Sequence, residues 1–291
     1  MSYKQLFYFV SIVEAGNISA AAKKLNLSQP PLSKQIMLLE EELGVKLMER
    51  SSRKISLTDA GYLLYQRAKN IVSMMESTTE EMAAFETERP HLLRLGVISS
   101  CSRSVTQDCM VEFCRLHPHV RFEISESNTY TLLEMLDRGM LEAAVVRTPF
   151  HTEGLECMYG QEEPLVAVGS SQYLGTSGSP ITIPQLAALP IDFYRRFEHI
   201  LIPVFQDNGA EPNFFCKSDD ARTPLMWAKS GLGVAVVPKS ISMLVEQDNL
   251  VTRDIACKEL VTRTAAVYKK DGYISEIGKT FVDFWAKKYC A

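Results

Sequence analysis

Along the first 45 residues, apolar positions recur at helical spacing. Leu6, Phe9, Val10 and Val13 line one face, which stops near Gly16. Asn17 is placed to cap a second helix with the face Ile18, Ala21, Ala22 and Leu25. After the turn Asn26-Leu27-Ser28 comes a third face, Leu32, Ile36, Leu39 and Leu43. Gln29, Pro30, Ser33, Lys34 and Met37 fall on its other side. Pro30 and Pro31 suit a first turn, where the N–H groups they lack have no partner anyway. They also deprive Ser28, the cap position, of its usual donors, so its side-chain cap bond cannot form. After Gly44, residues 45–49 and 54–57 predict two short strands around the basic tip Arg50-Ser51-Ser52-Arg53.

Three helices followed by a basic hairpin predict a winged helix-turn-helix, with the helix-turn-helix at about 18–37. A stiff apolar tip beside Gln, Ser and Lys suits the DNA major groove. Gln can pair with adenine, Lys with guanine or phosphate, and proline rings can touch thymine methyls. Gln29, Pro30, Pro31, Ser33 and Lys34 are therefore assigned to the groove. Arg50 and Arg53 are assigned to phosphates or the adjacent minor groove. The competing interpretation is a small helical domain with an ordinary solvated basic face.

From Thr58, which can act as a cap, the pattern predicts one long helix to about residue 88. Leu64, Ala68, Ile71, Met75, Thr78, Met82 and Phe85 alternate at spacings of four and three, a heptad seam. About 28 residues at 1.5 Å each give roughly 40 Å of helix. Pairing with a second copy is expected; packing on its own domain is the alternative.

Beyond Pro90 strands and helices alternate. Residues 92–98, 120–124 and 143–146 predict strands, 106–116 and 131–138 helices, with His117-Pro118-His119 a turn and Gly139 a stop. Such alternation implies a parallel, doubly wound sheet. A second lobe is predicted from Pro164-Leu165-Val166-Ala167-Val168, with a helix at 221–229 stopped by Gly231 and a strand at 233–237. Residues 263–268 return to the first lobe, and a last helix covers 274–289. Two crossing segments imply a hinged cleft. The expected domains are 1–58, a linker helix 59–88 and a ligand-binding domain 89–291. Its lobe I would take 91–163 and 267–291, and lobe II 164–266.

Ligands of such sheets sit at the carboxyl ends of strands, where helix N-termini offer N–H groups. Ser99 and Ser100 follow the first strand, Asn128 and Thr129 open the helix after the second, and Arg147 ends the third. An arginine leaving an apolar strand needs a partner, either a structural carboxylate or an anionic effector. Arg195, Arg196 and Phe197 are weaker candidates from the second lobe, because Tyr194-Arg195-Arg196-Phe197 also fits a surface turn.

Composition narrows the class. Hydrophobic residues make up 46% and charged residues 23% of 291, enough for cores in two domains. No apolar run reaches the roughly 18 residues that span a bilayer, so no membrane partner is expected. Met1-Ser2-Tyr3-Lys4-Gln5 does not resemble a signal peptide, and a cytoplasmic location is expected. Net charge is −4, but residues 1–58 hold eight Lys/Arg and five Asp/Glu, net +3. The remainder, 23 basic against 30 acidic, is net −7. Positive charge thus gathers where the DNA-binding pattern lies.

Seven cysteines (101, 109, 114, 157, 216, 257 and 290) include no Cys-x-x-Cys pair, and an odd count does not suit a disulfide framework. Small buried residues in a reducing cytosol are the ordinary interpretation; a thiol redox switch is the alternative function. The chain lacks a Gly-x-Ser-x-Gly elbow, a P-loop and a dinucleotide fingerprint. The five histidines show no metal spacing beyond His117-x-His119, which flanks a proline in a turn. No enzyme, metal or cofactor is expected, and a catalytic α/β domain fused to a DNA-binding domain is a distant third class.

Residues 1 to about 65 resemble the N-terminal domain of LysR-type transcriptional regulators. The resemblance lies in Leu6-Phe7-Tyr8-Phe9-Val10, Ala20-Ala21-Ala22-Lys23-Lys24-Leu25, Ser28-Gln29-Pro30-Pro31-Leu32-Ser33-Lys34-Gln35-Ile36, Leu39-Glu40, Leu43-Gly44 and Leu57-Thr58-Asp59-Ala60-Gly61. Met48 departs from the phenylalanine common there, one apolar filler for another. The resemblance implies an α/β chain overall: winged helix-turn-helix, linker helix used for dimerisation, and a two-lobed, periplasmic-binding-protein-like effector domain. It implies operator DNA, a small-molecule effector, a homodimer and, as a dimer of dimers, a homotetramer. It places Ser99, Ser100, Asn128, Thr129 and Arg147 on the effector cleft, which favours a carboxylate-bearing ligand. The peroxide-sensing branch uses a close cysteine pair in the second lobe. Cys216 and Cys257 are distant in sequence, and the resemblance does not extend there.

Overall fold

The computed structural model describes residues 1–50, 55–85, 91–101, 109–176, 178–243 and 250–290. The chain divides into two units, Met1–Arg89 and Pro90–Ala291.

The first unit opens with α1 (Tyr3–Ala15), α2 (Ile18–Lys24) and α3 (Gln29–Leu43). Each boundary has a local cause. Ser2 and Gln5 form a capping box on α1, and Gly16 ends it with φ of 73°. Asn17 accepts the Ala20 N–H at 2.7 Å. Ser28 caps α3 without a side-chain bond, as its two prolines require. Leu6, Phe9, Ile12, Ala21, Leu32, Ile36 and Leu39 form the shared core. Leu43 is a correction: expected on that face, it is 38% exposed as the last residue of α3.

β1 (Met48–Arg50) and β2 (Ile55–Leu57) pair antiparallel as the stem of a hairpin. The first strand starts later than the predicted 45. Leu47 and Met48 instead donate their N–H groups to the buried Glu40 carboxylate at 2.8 and 3.3 Å. Burial works against that charge, but these bonds and Lys46 hold the Glu40 carboxyl below its ordinary value. α4 (Asp59–Phe85) begins as expected, with Thr58 accepting the Gly61 N–H at 3.0 Å.

The heptad seam divides along α4. Ala68 is fully buried in the unit's own core and Leu64 packs on it, with Val72 from off the seam. Ile71, Met75 and Met82 are 41%, 46% and 56% exposed.

In the second unit, β3 (His91–Ile98), β4 (Val120–Ser127) and β5 (Ala143–Arg147) run parallel, as alternation with α5 (Val111–Leu116) and α6 (Thr129–Asp137) demands. The sheet is not wholly parallel, which corrects the expectation. β6 (Leu155–Gly169) and β11 (Val261–Lys269) cross between the lobes antiparallel to each other, and β11 is antiparallel to β5. Two strands that pass in opposite directions cannot both be parallel to their neighbours. Lobe II adds the short helices α7 (Ser171–Leu174) and α8 (Ile183–Ala187) and the strands β7 (Ile191–Tyr194), β8 (Phe214–Ser218), β9 (Val234–Pro238) and β10 (Val251–Asp254). Among the described residues the order is β4-β3-β5-β11-β6-β9-β7-β8, with β10 on β6.

Each lobe has its own core. Lobe I packs β3, β5 and the last helix, α12 (Glu276–Tyr289), around Phe113, Phe281 and Trp285. Lobe II packs α9 (Glu198–Asp207) and α10 (Arg222–Lys229) on its strands around Phe193, Phe197 and Phe205. Ala265 and Ala266 already belong to the lobe I core, so the return crossing comes before the expected 267. Among the described residues, no helix is long and apolar enough to cross a membrane.

Candidate functional site

The outer row of α3 is presented as the sequence predicts. Gln29, Pro30, Pro31, Lys34 and Met37 are exposed and Ser33 is half-buried, while Leu32 and Ile36 anchor the helix with no exposure at all. Gln29 is not left loose: its Oε1 accepts the Ser19 hydroxyl of α2 at 3.2 Å. This is a rigid helix tip with an amide, an ammonium and apolar rings on one side, the chemistry that direct base readout uses. Arg53 lies outside the described residues. Arg50 is the last residue of β1, and its backbone alone is described.

The second candidate site lies between the lobes of the ligand-binding unit. Ser99–Cys101 form a 3-10 turn at the end of β3, with Ser99 and Ser100 buried. Asn128 caps α6 by accepting the Thr131 N–H at 3.0 Å. Thr129 is fully buried, and its hydroxyl sits 3.4 Å from the Arg147 N–H, tying this turn to the end of β5. Three of the expected positions therefore converge on one sheet edge.

Arg147 is where expectation and geometry part. It is fully buried, and its charge is already met within the chain. Nη1 donates to Glu163 Oε2 at 2.6 Å, Nε to Ser100 Oγ at 3.1 Å and Nη2 to Cys101 Sγ at 3.4 Å. A charge this deep requires a permanent counterion. Glu163 lies on crossing strand β6, and its other oxygen accepts the Ser240 N–H from α11 (Lys239–Ser242) of lobe II. Burial opposes its charge, but Arg147 and Ser240 hold the Glu163 carboxyl below its ordinary value. Arg147 thus takes the structural partner of the two considered, and braces the Ser99–Cys101 turn. Burial pushes the Cys101 thiol up despite the adjacent guanidinium, which leaves it a protonated thiol.

Phe197 is corrected from cleft wall to core: it has no exposure and packs edge-on against Tyr194 at 5.6 Å. Arg195 sits at the cleft rim, 3.5 Å from Asp219, with its side chain 57% exposed. Its neighbour Arg196 crosses to lobe I. It donates to the Pro149 carbonyl at 2.7 Å and to the Arg147 carbonyl, with its guanidinium 5.3 Å from the Tyr130 ring centroid.

A cavity of about 340 Å³ opens here, lined by Ser99, Glu126, Ser127 and Asn128 of lobe I and by Asp219, Asp220 and Arg222 of lobe II. The lobe II set was missed from sequence. Its signal was present: Asp219, Asp220 and Arg222 stand between the end of β8 and the first turn of α10, the same strand-to-helix position that picked out Ser99 and Asn128. Asp220 holds Arg222 with two bonds, to Nε at 3.0 Å and Nη2 at 2.6 Å. Burial opposes its charge, but Arg222 and the Ser99 hydroxyl keep the Asp220 carboxyl below its ordinary value. Among the described residues, no cluster of His, Cys, Asp or Glu could hold a metal ion. Among the described residues, no cysteine forms a disulfide.

A helix-turn-helix unit joined to a two-lobed domain with a polar cleft defines a class: DNA-binding regulators with a small-molecule-binding domain. Comparison with known proteins agrees. Residues 3–62 match the bacterial regulatory helix-turn-helix, lysR family, and residues 87–289 match the LysR substrate binding domain. The chain belongs to the LysR family of transcriptional regulators. It is 28% identical to the HTH-type transcriptional regulator BsdA of Bacillus subtilis (strain 168), covering 98% of this chain and 100% of BsdA. It is 30% identical to BenM of Acinetobacter baylyi (strain ATCC 33305 / BD413 / ADP1), covering 82% of this chain and 81% of BenM. The fold matches the crystal structure of CbnR, a LysR family regulator, with a TM-score of 0.80 at 24% identity, over 99% of both chains. It also matches full-length CbnR in complex with its target DNA, with a TM-score of 0.79 at 25% identity, over 98% of both chains. These relatives are transcriptional regulators, not enzymes.

Proposed function

We propose that this LysR-family regulator reads operator DNA with the exposed row of α3 and is switched by a small carboxylate-bearing molecule bound between its lobes, in the cytoplasm. The observation that carries the effector half is the 340 Å³ cavity shared by both lobes. The Ser99 turn and the N-terminus of α6 at Asn128 line it from one side. Arg222 brings positive charge from the other, among the carboxylates of Glu126, Asp219 and Asp220, and takes the role expected of Arg147. Arg147 is then a positioning residue behind the Ser99–Cys101 turn. Homo-oligomerisation through the exposed part of α4 belongs to the same proposal. A thiol switch finds no support: Cys101 is buried and protonated, and burial also raises the Cys216 and Cys257 thiols.

A ligand acts only through unequal affinity for two arrangements of the lobes. The test is a footprint on the upstream region of this gene and its divergent neighbour, with and without small carboxylates selected by thermal shift. Ser127→Trp, which fills the cavity, should keep DNA binding and abolish the ligand response. A response retained in a folded Ser127→Trp protein would refute the cleft as the effector site.

A further inference from the structure

One side chain from each lobe meets across the mouth of the cleft. Arg222, the first residue of α10, has Nε and Nη2 locked by Asp220 on its own lobe. The remaining nitrogen, Nη1, donates to Glu126 Oε1 at 2.9 Å. Glu126 stands near the end of β4, an edge strand of lobe I. Both residues line the cavity together with Ser99, Ser127 and Asn128. The two side chains are 46% and 38% exposed. An ion pair this open to water contributes little to stability and is readily exchanged.

The two carboxylates on Arg222 are not equivalent. Asp220 is two residues away on the same lobe and also accepts the Arg222 backbone N–H at 2.8 Å. Glu126 reaches across from the other lobe with one oxygen. An acid group entering the cavity can replace the second, not the first.

We propose that Glu126 is a built-in competitor that holds Arg222 Nη1 in the place of the effector's acid group, and so sets the ligand class at this site. The proposal rests on the cleft being the effector site. An acid that reaches both Nη1 and the Ser99 and Asn128 turns displaces Glu126 into water. A purely cationic ligand gains nothing from Arg222 and pairs instead with Glu126. The same contact sets a threshold, because an acid must outcompete a carboxylate tethered at high effective concentration. Weak or misplaced acids then leave the Glu126–Arg222 contact in place.

Two four-carbon probes of opposite charge, succinate and putrescine, test this by calorimetric titration of the full-length protein. Glu126→Gln keeps the side-chain length and removes the competitor's charge. Succinate should bind this variant up to about fivefold more tightly than the parent, the ceiling that an exposed ion pair sets. The gain should vanish in the Glu126→Gln/Arg222→Gln double variant, and putrescine should show no gain. Without ligand, amide hydrogen exchange at 126–128 and 219–222 should quicken in Glu126→Gln, and thermal melts check folding. No succinate binding by Glu126→Gln, a gain that survives loss of Arg222, or a gain shared by putrescine overturns the proposal. Equal succinate affinity in parent and variant, abolished by Ser127→Trp, overturns the competitor role and leaves the cleft standing. Binding that survives Ser127→Trp overturns both.

Discussion

Among the described residues, Asp192 is the carboxyl most out of place. It lies on β7 with no exposure, and neither carboxylate oxygen has a hydrogen-bond partner. A Cβ at Gly233 would come within 2.5 Å of Oδ2, so the group is sealed against the backbone. Cys216 stands beside it in register on β8, and burial together with the Asp192 charge pushes that thiol up. Burial alone pushes the Asp192 carboxyl to about 7. The sign follows from linkage. Unfolded, the group loses its proton near pH 3.8; folded, it keeps it to about 7. Stability is therefore fully present at the acid end, falls as pH rises, and levels off above 7.

Between pH 5 and 8 the loss covers roughly two pH units, or about 3 kcal/mol. Asp192→Asn has the same shape without the titration. Its melting temperature relative to the parent should rise by roughly 6–12 °C from pH 5 to pH 8, taking 2–4 °C per kcal/mol for a domain of this size. Differential scanning calorimetry of both proteins at several pH values gives this difference directly, because pH effects from other groups cancel. A difference that does not change with pH would refute the buried neutral carboxyl.

Two further outcomes are expected. Lys34→Ala should weaken DNA binding alike for all sequences and lower the salt slope by about 1, whereas Gln29→Ala should cost about 1–3 kcal/mol of base discrimination; footprints unchanged in both would remove α3 from the groove. Charged residues at Ile71 and Met75 together should give monomers in sedimentation, because those positions are exposed while Leu64 and Ala68 pack inside their own unit; a double variant that still dimerises would place the interface elsewhere.

Local features were legible in the sequence because their causes are local. Gly16, Asn17, the Pro30-Pro31 pair and Thr58 each set a boundary within a few residues, and the structure has a helix end at each. Leu32, Ile36 and Leu39 could be read as a core face from spacing alone. What spacing cannot supply is the identity of a distant partner. Glu40 looks like one of three acidic residues in a row, yet it folds back to hold the start of β1. Arg147 could be recognised as needing a partner, but Glu163 is chosen by the antiparallel crossing of β6. The heptad seam was visible, but not that its first turns are used by the unit's own core. Phe197 and Arg196 are adjacent, and only the packing decides that one is core and the other a bridge.

The two ion pairs near the cleft have similar chemistry and opposite energetics. Arg147 and Glu163 have side-chain exposures of 0% and 17%, against 46% and 38% for Arg222 and Glu126. Charge attraction is much stronger in the buried setting, and so is the penalty for separation. Breaking a buried pair costs about 3–5 kcal/mol, because one charge is left without water or counterion. An exposed pair is worth about 0–1 kcal/mol, because water replaces either partner. A ligand shifts an equilibrium only by its differential affinity, and about 5.5 kcal/mol is needed to invert a 99:1 population. The acid group of a small effector can supply the second price and not the first together with it. The contact of Arg147 on β5 with Glu163 on crossing strand β6 is therefore the fixed one, and the exchangeable contact is the one at the mouth. Variants at Arg147 should then lower stability at least as much as they lower the response, whereas variants at Glu126 should alter the response alone.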